Sequence, residues 1–283
     1  MNVAEFFYTT IFRLPWIRAF VNKLILLILP ASVRVGNAIV MINPRDPVIS
    51  GALTFGVYEK SEILLMQQIC KLGQVVIDIG ANVGLYTAIA GSLVGSEGLV
   101  ISVEPEPESI RFLHKTVSAN GLKNTRIVQA AASNVNGQAK LFTSSVNRGD
   151  HRMYRNKNAD GNIEVATLKL DDYLEKQGIH SADIIKIDVQ GFEGHVIAGI
   201  EKTIRHSPHL IMLMEFWPMG LYSVGSDPRE LLQQLENLGL SIYEIKKHNV
   251  FTPVIDKNKL LCRLTGIKYT NLVLLGPQAE WKP

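Results

Sequence analysis

Cysteine is close to absent. Cys70 and Cys262 are the only two in 283 residues, and they form no CxxC pair. The chain therefore carries neither a disulfide framework nor a cysteine metal site, which fits a reducing, cytoplasmic compartment. A dominant charge is lacking as well: 29 Lys and Arg against 26 Asp and Glu leave a net charge of +3. That is too small to argue for a nucleic-acid partner, and no basic patch is interleaved with aromatic residues. Long apolar runs are also missing, since Leu24 to Leu29 falls far short of the roughly 20 residues a membrane span needs. No internal repeat or low-complexity segment is present, which excludes solenoid and fibrous architectures. What remains, 47% hydrophobic residues, can bury a full core and suits one large α/β domain plus an appendage.

The chain is organised around Val75-Val76-Ile77-Asp78-Ile79-Gly80-Ala81-Asn82-Val83-Gly84-Leu85-Tyr86-Thr87. Val75 to Ile79 are apolar and mostly β-branched except for Asp78, as in a strand buried on both faces of a parallel sheet. Gly80 and Gly84 permit positive φ and let a ligand meet bare backbone, and the helix that follows points its first free N–H groups into the turn. A dinucleotide site needs G-x-G-x-x-G for the pyrophosphate. Here the glycines run G-x-x-x-G behind an acid that would repel a pyrophosphate. The spacing suits a cofactor with an ammonium group and no phosphate, and S-adenosylmethionine is the common one. Leu99 to Val103 reads as the next strand, and Glu104 at its tip can take both ribose hydroxyls. A Rossmann-like NAD site or a purely structural turn is the alternative.

From Tyr58-Glu59 through VVIDIGANVGLYT, VEPEPESIRFLHKTVSANGL, AAASNVNG, LDDYL and IKIDVQGFE to LMEF, the chain resembles the FkbM-type methyltransferases. The resemblance covers roughly residues 55 to 220. It implies a Rossmann-like class I methyltransferase: an α/β fold with a seven-stranded, mostly parallel sheet, helices on both faces and an N-terminal helical appendage. The implied cofactor is S-adenosylmethionine, and the implied acceptor is a sugar hydroxyl in a glycan or glycosylated natural product. Methylation of a protein, lipid or other small molecule, or a non-catalytic binding subunit, are the alternatives. One departure stands out: the family usually reads Asp-Val-Glu-Gly where this chain has Asp188-Val189-Gln190-Gly191.

The expected cofactor site draws on Asp78, Gly80, Asn82, Gly84, Tyr86 and Thr87 of the glycine turn, and on Glu104 and Pro105. Gln129 and Ala130, at the end of a third strand spanning Thr125 to Ala132, are assigned to the adenine. Glu59 either faces the cofactor's amino group or complements the dipole of a helix running from Tyr58 to about Leu72. Asp188 ends the fourth strand at the ligand-binding edge of the sheet, and Glu215 ends the fifth beside it. Asp188, Glu215 and His151 are the catalytic candidates; Asp188 can also hold the methionine portion. With Glu193 or His209 nearby, the two carboxylates could hold a divalent cation; hydrogen bonding to loops is the alternative, and no metal ligand is assigned. Residues 144–162 form a long polar loop, either an acceptor-recognition element or a solvated connection.

Residues 1–57 are expected to form an appendage and 58–283 the catalytic domain. Residues 1–34 hold Arg13, Arg18, Lys23 and Arg34 against the single acid Glu5, with Phe6, Phe7, Phe12, Trp16 and Phe20. Aromatics and charges ahead of Leu24 do not fit a cleaved signal. The segment packs on the catalytic domain or on a second subunit in a homo-oligomer, or it lies as an amphipathic helix on the inner membrane surface.

Overall fold

Period-two and period-3.6 apolar patterns alternate along the chain, and they build strands and helices in that order. The computed structural model describes residues 22, 24–144, 148–156, 159–246 and 250–281; most of the basic, aromatic segment 1–34 lies outside them. Two short strands, β1 (Ser32–Val35) and β2 (Ala38–Met41), pair antiparallel and lead into helices α1 (Ile49–Thr54) and α2 (Lys60–Ile69). The repeating part begins with β3 (Val75–Ile79), α3 (Leu85–Val94), β4 (Leu99–Val103), α4 (Pro107–Ala119) and β5 (Thr125–Val128). Next come β6 (Ala131–Ser133), β7 (Gly137–Thr143), β8 (Gly161–Lys169) and α5 (Leu170–Lys176). The chain then re-enters the main sheet with β9 (Ile184–Ile187), α6 (Glu193–Gly199), α7 (Glu201–Arg205) and β10 (Ile211–Phe216). It finishes with α8 (Pro218–Ser223), α9 (Pro228–Asn237), β11 (Ser241–Lys246), β12 (Val250–Pro253), α10 (Lys257–Arg263) and β13 (Thr270–Leu275).

The main sheet runs β12-β11-β13-β10-β9-β3-β4-β5. Its five strands from β10 to β5 are parallel, and β13, β11 and β12 close the other end antiparallel. The order reverses at β3, with β4 on one side and β9 on the other, so the turn after β3 sits at the switch point where open α/β sheets bind ligands. Alternate residues feed two cores. Ile77, Ile79, Ile185, Ile187, Met212 and Met214 face α5 to α10, whereas Val76, Ile184 and Leu213 face α2, α3 and the N-terminal strands. Helix α4 starts on a local signal: Pro107 follows Glu106, whose carboxylate accepts from the Ser109 N–H at 2.5 Å.

Three expectations are corrected. The sheet has eight strands rather than seven, because Val250 to Pro253 folds back on β11 as an edge strand; Pro253 is tolerated there because an edge needs no second row of donors. The third strand stops at Val128. The chain bends at Gln129-Ala130 and β6 joins a separate sheet with β8 and β7, so one apolar run serves two sheets. Helix α2 begins at Lys60 and ends at Ile69, since Glu59 is left-handed at φ 33° and Cys70 is extended. The division at residue 57 marks no gap in the packing: Ala38, Val40, Ile42, Ile49 and Leu53 share one apolar cluster with Leu65, Ile89 and Val100. No helix among the described residues is long and apolar enough to cross a membrane.

Candidate active site

The turn after β3 is folded by its neighbours. The Gly80 and Ala81 N–H groups both donate to the Val103 carbonyl at 2.9 and 3.1 Å, and Gly84 N–H closes the turn on Ala81 O at 2.8 Å. At Gly80, φ is 80° and a Cβ would stand 1.9 Å from the Asp188 carbonyl oxygen. At Gly84, φ is 91° and a Cβ would meet Leu113 at 2.6 Å. Both glycines are therefore required, but what comes against them is the chain itself: β9 at one, α4 at the other. Asn82, at φ 48°, donates its N–H to Glu104 Oε2 at 3.0 Å, and Glu106 N–H donates to Oε1 at 2.9 Å. Glu104 is thus fixed at the tip of β4.

A cavity of about 400 Å³ opens along this edge, within the range of small-molecule sites. Glu59, Gly80, Asn82, Tyr86, Glu104, Pro105, Ala130, His151, Asp188 and Glu215 all line it. Four expected residues do not. Asp78 is 1% exposed within β3 and accepts from the Thr87 hydroxyl at 2.6 Å, and that hydroxyl lies 2.8 Å from Ser102 Oγ. Asp78 and Thr87 thus tie β3, α3 and β4 together behind the turn. Gly84 is filled by α4, and Gln129 is exposed at the sheet switch. His209 lies ahead of the opposite end of β10 from Glu215, its Nδ1 2.8 Å from Gln278 O.

Sequence reasoning passed over Lys186, which is buried in β9 and lines the cavity. Its Nζ lies 3.3 Å from Asp188 Oδ2 and 4.6 Å above the Tyr86 ring. A lysine two residues before an acid in an otherwise apolar strand was the signal. Burial alone would lower its ammonium, but Asp188, Glu59 and Asp78 outweigh this and hold it above the ordinary value. Burial pushes Glu59 up to about 7, although Lys186 and the Tyr86 hydroxyl, donating at 2.5 Å, work the other way. Burial likewise pushes Glu104 and Glu193 up to about 7. Burial, then Asp188 and Glu193, raise Glu215 well above the usual range. Among the described residues, the non-glycine residues with positive φ are Glu59, Asn82 and Gln190, and each lines this cavity. Strained backbone of this kind concentrates at functional sites.

Beyond Glu215 the wall is made by Trp217, Tyr269 and the segment from Gly149 to Met153. The Arg152 guanidinium stacks 4.4 Å from the Trp217 ring, donates to Asp150, and donates to Tyr154 OH at 2.8 Å. Of the polar loop 144–162, residues 145–147 and 157–158 lie outside the described residues, Asn147 among them. His151 Nδ1 accepts from the Ser144 N–H at 3.1 Å, so that lone pair is already engaged. Among the described residues, no group of three or more His, Cys, Asp and Glu side chains is arranged to hold a metal.

Known proteins match this chain along most of its length. The family described as Methyltransferase FkbM domain matches residues 78–242. The 2-O-methyltransferase NoeI of Sinorhizobium fredii is 29% identical over 185 residues, 60% of this chain and 74% of that protein. The hexuronic acid methyltransferase AglP of Haloferax volcanii is 23% identical over 193 residues, 68% of this chain and 73% of that protein. A solved structure titled methyltransferase FkbM, from Methylobacillus flagellatus, superposes with a TM-score of 0.45 at 12% identity, covering 81% of this chain and 54% of that one.

Proposed function

This chain belongs to the FkbM methyltransferase family, and from that premise we propose that it transfers the methyl group of S-adenosylmethionine to a sugar hydroxyl in a glycan or a glycosylated natural product. The observation that carries the reading is one cavity with two ends. Glu104 is anchored by two backbone N–H groups at one end, and Asp188 and Glu215 sit at the tips of neighbouring strands at the other. NoeI, a 2-O-methyltransferase, and AglP, a hexuronic acid methyltransferase, support the acceptor class.

The residues present fit the cofactor. Glu104 offers carboxylate oxygens to the ribose diol, with Asn82 and Pro105 beside it, and Ala130 gives the small apolar floor an adenine edge needs. Glu59, held by Tyr86, and Asp188 offer negative charge to the ammonium and sulfonium. When bound, S-adenosylmethionine supplies an already activated methyl group. The protein's task is to align the acceptor oxygen with the S–CH3 bond, an ordering that can supply roughly 7–11 kcal/mol of the barrier. As the O–CH3 bond forms and the S–CH3 bond breaks, the hydroxyl proton must leave, a service typically worth ~10²–10⁴-fold. Asp188 is the group we assign to accept it. Glu215 is raised well above the ordinary range by burial, which disfavours its charged form, and His151 has its Nδ1 lone pair engaged.

Calorimetric titration with S-adenosylmethionine, and separately with NAD, tests the class: binding of the former alone is expected. A sugar-acceptor screen with labelled methyl donor follows. In it, Asp188→Asn should lower turnover by ~10²–10⁴-fold while still binding the cofactor; unchanged turnover would remove Asp188 from the chemistry.

A further inference from the structure

Gln190 lies two residues past Asp188, in the left-handed region at φ 53°. Its side-chain Nε2 donates to Asp188 Oδ1 at 2.9 Å and to Glu215 Oε1 at 3.2 Å. One amide nitrogen thus spans the carboxyl groups of two adjacent strands, using both of its hydrogens. Asp188 Oδ2 is taken by Lys186 at 3.3 Å. Two acids side by side in a buried site need something between them: a shared proton, a cation, or a neutral donor. An amide whose two hydrogens diverge is that donor, and it carries no charge that would compete with a cationic cofactor.

We propose that Gln190 is a positioning residue for methyl transfer: its amide takes the bridging place a divalent cation would occupy between Asp188 and Glu215, and fixes the Asp188 carboxylate for the acceptor hydroxyl. The inference rests on the methyltransferase reading for its catalytic meaning, and on geometry alone for the bridge. The strained backbone accompanies the bridge: Gln190 is left-handed at φ 53° and its side chain reaches both Asp188 and Glu215. Among the described residues, the other ionisable groups around the pair include Lys186 beside Asp188, Asp78 on β3, Glu59 and Tyr58 ahead of α2, Glu193 at the start of α6 and Tyr269 before β13. Lys186 is the only cation in that set. The amide is therefore the second of two groups restraining several acids.

Two variants of the full chain test the bridge without needing the acceptor. Gln190→Glu places a third carboxyl between the pair, so it should gain one Mn2+ per chain at least tenfold more tightly than wild type. Electron paramagnetic resonance on titration with MnCl2 reads this, and adding Asp188→Asn should abolish the gain. Gln190→Met keeps the length and removes both donors. Its melting temperature should fall several degrees further below wild type at pH 8 than at pH 5, because the unbridged acids repel only when they lose protons. Wild type that binds Mn2+ through Asp188, folded Gln190→Glu that binds none, or a Gln190→Met deficit equal at both pH values would each overturn the proposal. S-adenosylhomocysteine titrated into wild type is the separate control. If it does not bind, the methyltransferase reading fails while the Mn2+ and pH results still decide the bridge.

Discussion

Thr87 shows that a residue of a functional signature can be engaged inside the fold. Its hydroxyl donates to Asp78 at 2.6 Å inside the protein, where burial pushes the Asp78 carboxyl upward and Lys186 and Thr87 pull it back. Removing the donor leaves a buried acceptor short of a partner, at a cost of about 1–3 kcal/mol. Thr87→Val should therefore lower the urea-unfolding free energy by about that amount and leave cofactor affinity nearly unchanged. A loss of affinity without a loss of stability would return Thr87 to the cavity wall. From sequence, Asp78 and Thr87 look like cofactor contacts because an acid and a hydroxyl flank a glycine turn. Only the register of Asp78 beside Ser102 and Lys186 shows that they tie strands together. Lys186 escaped notice for the converse reason: a charge in an apolar strand gains its meaning from residues of other elements.

The elements whose signals are local were readable in advance. The strand, glycine turn and helix from Val75 to Val94 and the Pro-led starts of α4 and α9 all declare themselves within a few residues. Features set by distant partners did not. The break at Gln129-Ala130 depends on β8, more than 30 residues on, offering β6 a new sheet, and the eighth strand depends on β11 having a free edge. Gly80 joins the two kinds. The sequence marks it as a turn glycine, yet the constraint is the Asp188 carbonyl lying where a Cβ would be, at 1.9 Å. Gly80→Ala must displace backbone rather than a flexible side chain, and with positive φ added it should cost at least ~3 kcal/mol. Chemical denaturation would show this, and so would a lost cofactor heat in calorimetry.

At the scale of the whole molecule, the buried acids set a pH dependence. Burial holds Glu59, Glu104 and Glu193 at about 7, against an ordinary value near 4.5. Below about pH 4.5 both folded and unfolded chains keep these protons, and there is no difference. Between about 4.5 and 7 the folded chain binds more protons than the unfolded one, so stability falls as pH rises and levels off above 7. The ligand-free protein should melt at a lower temperature at pH 8 than at pH 5.5. S-adenosylmethionine, which brings positive charge to the same acids, should raise the melting point more at pH 8 than at pH 5.5. Scanning calorimetry at both pH values checks each statement, and a melting point that climbs with pH would refute the first.

The N-terminal hairpin adds a matter of timing. Ile39 N–H donates to Asn120 Oδ1 at 2.8 Å, Asn120 Nδ2 donates back to Ile39 O at 2.6 Å, and Met41 N–H donates to Thr116 Oγ1 at 3.0 Å. A polypeptide made from its N-terminus meets these partners only about 80 residues later, roughly 4–16 s at ~5–20 residues per second. Through that interval Ala38, Val40 and Ile42 can pack only on apolar residues made before α4, such as Leu65 and Ile89. The nascent chain must therefore carry this hairpin without its hydrogen bonds to Thr116 and Asn120 until α4 has been synthesised.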